Sequence, residues 1–445
     1  MLNEYLVSKN NKIHMWQLAQ KLEPIYRTLV SPGFEQSLKC IQEQQPQLII
    51  KKYRSGTKVF DWTIPMSWTL KEGYIEDIKG KRLFDSKKHP FLVGPYSQPF
   101  SGEISRKELM PHLHTLPHLP KAFALCPSYY AKDWKLGVPH EFKTHLKEKS
   151  YRVHIDSRFK VGHLCIGEVY LPGKVKKEIL ISTYLCHPHT ANDNMSGVVV
   201  AAELFNILST FKNRYYSYRL IIIPETIGSI AFIYHHQKEL KSIIGGFGIT
   251  CCGDRGGITF KKSWAGNSLM DRAAIKVLKE RGGKHRILDY YLTGSDERQF
   301  NAPGTRLPMP TIMRTPPSEF IEYHSSFDNL NCITPKNLAD TLQFILDTIF
   351  IVDNNKTYVN CYKTEPFLTG TGIYKQIHVG RFGVFNKSKS GMDSGQLNQI
   401  IIHETDGEQD LLSIADKYKC SFRDVHERSQ VFESIGLIKN VSNRR

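Results

Sequence analysis

Two imidazoles and a carboxylate fall within one short stretch, Cys186-His187-Pro188-His189-Thr190-Ala191-Asn192-Asp193-Asn194-Met195-Ser196-Gly197. Imidazole nitrogen and carboxylate oxygen are the donors that a divalent zinc-type ion takes. His187 and Asp193 can converge on one such ion across a loop. Glu225 stands in Pro224-Glu225-Thr226-Ile227-Gly228, straight after the apolar run Leu220-Ile221-Ile222-Ile223. A carboxylate placed where a strand meets a cleft can serve as general base toward a water that a metal has acidified. Asp254, in Gly253-Asp254-Arg255-Gly256-Gly257, and His324, in Glu322-Tyr323-His324-Ser325-Ser326-Phe327-Asp328-Asn329, add another carboxylate and another imidazole.

Each group also has an ordinary structural meaning. Asp193 can cap a helix, Glu225 can sit favourably against a helix dipole, and Asp254 between glycines reads as a turn residue. His324 can be a surface histidine at a helix approach. Their joint arrangement carries more, because the candidates recur at strand-to-loop positions along one predicted sheet. In open α/β sheets that is where ligands bind.

The elements that must position these groups follow from periodicity. Short apolar runs predict strands at Glu178–Tyr184, Arg219–Ile223, Gly245–Cys252 and Leu307–Met313. Helical spacing predicts helices at Ser196–Phe211, Ser229–Leu240, Leu269–Glu280 and Pro335–Ile351. Alternation of this kind predicts an α/β fold, with a mostly parallel central sheet covered by helices on both faces. Before it, the chain to about Ile50 reads as helical, with Ser31-Pro32-Gly33 separating two helices. From Tyr53 to about Tyr170 aromatics, prolines and short alternating segments predict a β-rich inserted or lid-like domain. Near the C-terminus the patterns Gly395–His403, Glu408–Tyr418 and Phe422–Ser434 resemble a winged helix-turn-helix. The expected domains are 1–52 with 171–355 (catalytic), 53–170 (inserted) and 356–445 (winged helix).

Composition narrows the class. A chain of 445 residues with 40% hydrophobic and 23% charged residues is globular, and too long for one core. Disordered and collagen-like readings drop out. No run reaches the roughly 18 apolar residues of a membrane span. Met1–Leu22 has no charged head followed by an apolar run and a cleavage site, so no signal peptide and a cytoplasmic location are expected. The nine cysteines are scattered without a CxxC pair, which argues against a cysteine zinc site. The net charge of +17 is spread along the chain rather than gathered in one run.

The order of these motifs resembles the zinc aminopeptidases that hold two metals on an α/β sheet. More closely, the chain resembles an aminopeptidase-like group with a β-rich insertion and a C-terminal winged helix. The landmarks are Tyr53-Arg54-Ser55-Gly56-Thr57, Asp61-Trp62-Thr63-Ile64-Pro65, Cys186-His187-Pro188, Ala191-Asn192-Asp193-Asn194, Pro224-Glu225-Thr226-Ile227-Gly228-Ser229, Gly253-Asp254-Arg255-Gly256 and Tyr323-His324-Ser325-Ser326. The resemblance implies that His187, Asp193, Asp254 and His324 are metal ligands and that Glu225 is the general base. It places Gly294-Ser295-Asp296 beside the substrate, with Asp296 or Glu297 as an acidic anchor for an amino group. Arg255 and Tyr323 are expected at the substrate.

Two departures bear on the metal. The family's second glutamate is Thr226 here, and its His-x-Asp motif reads His187-Pro188-His189. One tightly bound zinc is therefore expected, with a second held weakly if at all. The implied activity is hydrolysis of an amide in a peptide or small molecule. Two other readings stay open: deacylation of a modified sugar or small amide, and a non-catalytic binding or regulatory protein on the same scaffold. Nucleic-acid binding through the winged helix is a lesser reading. No membrane association is expected, and self-association through the C-terminal module is left open.

Overall fold

Ser31 caps a helix that begins with Pro32 at its first position, and the Ser31 side chain accepts the Phe34 N–H. Proline is tolerated there because that N–H has no helical partner in any case. The tripeptide that separates two helices in the sequence is thus the start signal of the second, Pro32–Gln44, after a first at Lys9–Leu22. The computed structural model describes residues 5–292, 294–317, 319–368 and 394–442.

Eight strands form the central sheet: β1 (Ile49–Arg54), β2 (His163–Leu171), β3 (Glu178–Tyr184), β4 (Ser217–Ile223), β5 (Ile243–Ile249), β6 (Ile258–Lys261), β7 (His285–Leu288) and β8 (Thr311–Met313). Their spatial order is β1-β2-β4-β3-β5-β8-β6-β7. Every residue of β3 and β4 is buried, as expected of strands covered on both faces. The covering helix Ser196–Thr210 is itself buried along most of its length.

The expectation of a mostly parallel sheet is corrected. The ladders β3–β4, β3–β5, β5–β8 and β6–β7 are parallel, while β1–β2, β2–β4 and β6–β8 are antiparallel, so the sheet is mixed. The chain enters the β-rich segment from β1 and returns along β2, paired with it from Ile49 opposite Glu168 to Arg54 opposite His163. A returning strand must run antiparallel, and this places the central sheet's own strands at both ends of the stretch read as inserted. Between them, Ser67–Glu76 and Ser150–Lys160 are the middle of a four-stranded antiparallel sheet. By contacts the whole segment belongs to one unit with the central sheet, made of Met1–Met270 and Lys284–Gln343.

A second unit comprises Asp271–Gly283 and Phe344–Arg445. It holds the antiparallel strands Asp406–Asp410, Thr357–Asn360 and Ile438–Asn440 with the helices Ser394–Glu404, Leu411–Lys417 and Phe422–Ser434. The pattern Glu408–Tyr418 splits into the end of a strand and a helix. Asp410 caps that helix by accepting the Ser413 N–H. Residues 369–393 and 443–445 of the expected winged helix lie outside the described residues. Among the described residues no helix is long and apolar enough to cross a membrane.

One polar cluster is built into the sheet. Arg219 on β4 makes two bonds to Glu178, at 2.7 and 3.2 Å, and pairs with Glu168 on β2. Lys51 reaches Glu168 at 2.6 Å and His236 lies 3.6 Å from it. Burial alone would raise the Glu168 pKa, but His236, Lys51 and Arg219 together outweigh it and bring it down to about 2. A carboxyl depressed in the folded state adds stability above its unfolded pKa and loses it as pH falls toward the folded one. Glu168→Gln is expected to lower stability by about 3 kcal/mol at pH 7 and to flatten the acid loss between about pH 5 and 2. Urea unfolding across that range measures both. An unchanged acid limb would show that Glu168 is not its source.

Candidate active site

β4, β3 and β5 lie side by side and parallel, so the loops leaving their carboxyl ends share one rim of the sheet. His187 follows β3 by three residues, Glu225 follows β4 by two, and Thr250 directly follows β5. Between His187 and the helix Ser196–Thr210 the chain makes a tight turn, Ala191–Met195, that turns Asp193 back into the site. The peptide bond Asp193–Asn194 is cis. Gly197 lies so close to β5 that a Cβ would sit 2.4 Å from Asn194 Oδ1 and 2.7 Å from the Ile249 carbonyl oxygen, which leaves no room for a side chain.

His187 Nδ1 lies 3.3 Å and His324 Nε2 3.2 Å from the same oxygen, Asp193 Oδ2. His187 Nε2 lies 3.4 Å from Glu225 Oε2. The Asp193 side chain is fully buried, whereas that of Glu225 is 26% exposed and open to a substrate. Tyr184 donates to Asp193 Oδ1 at 2.6 Å and touches Thr250 at 2.9 Å, and Ser295 donates to Glu225 Oε1 at 2.6 Å.

The donor atoms of His187, Asp193 and His324 lie within 4.8 Å of one another. Asp193 Oδ2 and His324 Nε2 are both buried, and neither makes a well-aligned hydrogen bond; they meet only in the ion-pair contacts at 3.2–3.3 Å. Buried polar atoms are normally bonded. Buried donor atoms that crowd together without a well-aligned hydrogen bond fit a shared cation, and two imidazoles with a carboxylate are a zinc-type donor set. Cys186 makes a second group with His187 and Glu225, and burial pushes its thiol up to about 12. Burial would raise Asp193 and lower His187. Their mutual attraction outweighs it, so Asp193 is held well below, and His187 well above, the ordinary value.

Of the other expected ligands, Asp254 stands apart. Its oxygens are taken by Asn192 Nδ2 at 3.0 Å, the Gly256 N–H at 2.7 Å, and the Thr315 hydroxyl and N–H at 2.6 and 3.1 Å. It joins neither metal-capable group. The residue that β5 delivers to the site is Thr250. Arg255 is exposed beside a different cavity, shared with Asp254 and Glu319. Asp296 is buried, and one of its oxygens accepts from the Thr226 N–H and the Ser229 hydroxyl, both at 2.7 Å. It holds the strand-to-helix turn in which Thr226 has φ +64°. Burial, and then Glu225, raise Asp296 to about 8. Tyr323 stacks on His324, with ring centroids 3.8 Å apart, and lines a cavity of about 270 Å³ next to Glu225. His189 packs against Tyr26 instead of joining the cluster.

Sequence reasoning missed several supports. Asp328 accepts the N–H groups of Ala191, Asn192 and Asp193 at 3.2, 2.6 and 2.9 Å, and so fixes the loop that carries Asp193. Its position four residues after His324 was the available signal. Buried Lys261 pairs with Glu297, whose other oxygen accepts the Ser295 N–H, and this pins the loop that aims Ser295 at Glu225. The β-rich segment also contributes. The Leu125 N–H donates to the His324 carbonyl at 2.8 Å and the Ser326 N–H to the Phe123 carbonyl at 2.9 Å, so this segment braces the loop of the second imidazole. Burial raises the Tyr129 phenol well above its ordinary value, with Cys186, Glu225 and Asp193 adding to the effect from nearby.

A family model described as "Domain of unknown function (DUF4910)" matches residues 16–355. The chain is similar to a Clostridium acetobutylicum protein named as a candidate polysaccharide biosynthesis protein with an aminopeptidase-like domain, 35% identical over 442 residues and covering 99% of both chains. It superposes on the crystal structure of a candidate peptidase from Clostridium acetobutylicum with a TM-score of 0.88, 33% identity, and coverage of 99% of this chain and 98% of that one. A zinc aminopeptidase from Bacillus subtilis matches with a TM-score of 0.57 and 15% identity, over 77% of this chain and 94% of that one, a likeness of fold.

If Asp328 fixes the Asp193 loop, Asp328→Asn leaves part of that backbone without an acceptor. A loss of about 1–3 kcal/mol in urea unfolding without metal is expected, together with weaker zinc uptake by calorimetry. Wild-type values in both would assign the loop's order to other contacts.

Proposed function

The chain belongs to the DUF4910 family, and on that footing we propose that it is a zinc-dependent hydrolase of amide bonds built on the aminopeptidase fold. The observation that carries this is the convergence of the donor atoms of His187, Asp193 and His324 on one point, beside the accessible carboxylate of Glu225.

His187, Asp193 and His324 are the residues that would hold one zinc. When bound, zinc supplies Lewis acidity toward a carbonyl oxygen and lowers the pKa of water. Glu225 takes a proton from the attacking water and returns it to the leaving amine. Ser295 holds one Glu225 oxygen and leaves the other facing the imidazoles. Tyr184 satisfies the Asp193 oxygen that faces away from the histidines. Asp296 spends one oxygen on the Thr226 N–H and the Ser229 hydroxyl, which supports a role in holding the turn. Thr226 supplies no carboxylate, which supports one dominant ion rather than two.

The cavity is small, and its wall combines the rings of Tyr184, Tyr291 and Tyr323 and the side chains of Met313 and Pro317 with several polar groups. The hydroxyls of Thr250, Ser295 and Thr311 and the Lys261–Glu297 pair lie along it. This lining, with a relative named for polysaccharide biosynthesis, supports a second reading of the same chemistry: removal of an acyl group from an amino sugar or another small polar amide. The order of elements in the second unit supports a winged helix. Phe422, Val425, His426, Ser429 and Phe432 are the buried face of its helix Phe422–Ser434. Asp424, Glu427 and Glu433 dilute the positive charge that phosphate contact needs, so this module is read as a packing or partner-binding element.

Elemental analysis of protein purified without added metal is expected to give about one zinc per chain, and His187→Ala to lose it. Glu225→Gln is expected to keep the zinc while turnover of peptide and N-acetyl-sugar substrates falls about 100-fold or more. No metal after incubation with zinc would sink the hydrolase reading in favour of a binding scaffold. Undiminished turnover in Glu225→Gln would remove Glu225 as the base.

A further inference from the structure

The β-rich segment carries an unusual hairpin. Strands Lys58–Val59 and Trp62–Thr63 are joined through Phe60 and Asp61, and Phe60 has φ +54°. That left-handed position suits glycine, and a bulky residue there is strained. Yet Phe60 is 51% exposed as a residue, and the neighbouring Trp62 37%. Core packing therefore does not account for the strain at Phe60. Each ring is held edge-to-face by one neighbour, Phe60 by Tyr234 at 5.2 Å and Trp62 by Tyr130 at 5.6 Å.

Both rings line a cavity of about 560 Å³, within the roughly 300–1,000 Å³ of small-ligand sites. Its apolar wall comes from Ile230 and Ile233, on the helix that follows Glu225. Polar groups face it as well. The Gln299 amide and the Asp61 carboxylate make no hydrogen bond or ion pair among the described residues, and Gln237 uses only its amide nitrogen, toward the Tyr234 carbonyl. Its one acidic and one basic lining residue, Asp61 and Lys241, give it no net charge. Gln299 lies on the same short helix as Glu297, which lines the Glu225 cavity, so the two cavities flank that helix.

We propose that this cavity is an accessory carbohydrate subsite that takes a neutral saccharide ring between Phe60 and Trp62. The C–H face of a pyranose carries slight positive charge and packs on the negative face of an aromatic ring. Its hydroxyls both donate and accept, which matches free amides and a carboxylate better than it matches an apolar side chain. A charged ligand would find no net opposite charge. The inference does not depend on hydrolysis at Glu225.

The test is binding of a panel of neutral trisaccharides (chitotriose, cellotriose and maltotriose) to the full-length protein, by saturation-transfer NMR and calorimetry. At least one is expected to bind with millimolar affinity. Trp62→Ala and Phe60→Gly are each expected to weaken it about tenfold or more. Glycine suits the backbone at position 60, so Phe60→Gly is expected to keep or raise the melting temperature, which separates lost binding from lost folding. Glu225→Gln is expected to bind as the wild type does. Absence of binding by all three sugars, unchanged affinity in Trp62→Ala, or binding lost in Glu225→Gln would each overturn the proposal. So would tighter binding of a Phe-Leu dipeptide at the same residues.

Discussion

A carboxylate with no exposed surface stays charged only in cationic company, and Asp193 is such a group. Its two oxygens divide the work. One accepts from Tyr184, and the other faces both His187 and His324. These partners come from two distant parts of the chain, Tyr184 and His187 at the end of β3 and His324 far beyond it. To bring them together, the loop after β3 must turn back on itself, the sheet must place β4 and β5 on either side, and a segment more than a hundred residues later must return to the same rim. Asp328 closes that return by taking three backbone N–H groups of the Asp193 loop.

Holding this arrangement has a conformational cost, visible in the backbone. His189, Thr226, Cys251 and His324 all have positive φ, and none is glycine. They stand after β3, β4 and β5 and at the second imidazole. Such conformations cost about 1–3 kcal/mol each and persist where the surroundings over-determine them. The surroundings here do so through named bonds: the Thr226 N–H to Asp296, the Cys251 N–H to Asn194, and the His324 carbonyl to Leu125. Below the rim the strands β3 and β4 are buried throughout, which supplies the rigid base.

The β-rich segment is part of the site as well as a covering. Its residues Phe123 and Leu125 pair with the His324 loop. Its strands β1 and β2 extend the sheet that carries the site. Apolar burial in that sheet and the Glu168–Arg219–Glu178 cluster serve stability. His189, Thr226 and Cys251, three of the strained positions, stand at the opposite ends of the strands, where β3 delivers His187.

The sequence by itself determined the strands β3 and β4, because an apolar run bounded by turn residues has one stable use in a covered sheet. It also singled out His187, Asp193, Glu225 and His324, from the loops after predicted strands and from the approach to the last long helix. Tertiary structure decided the rest. Strand direction at β1, β2 and β6 depends on chain return, which periodicity does not record. Asp254 carries the residue type of a ligand, but its oxygens are spent on Asn192, Gly256 and Thr315. Asp328 and Ser295 look ordinary in sequence, and their roles arise from which backbone and carboxylate they meet. Residue type and local spacing fix which groups can do chemistry. Only the packing of distant segments fixes which of them share a point in space and which are already hydrogen-bonded elsewhere.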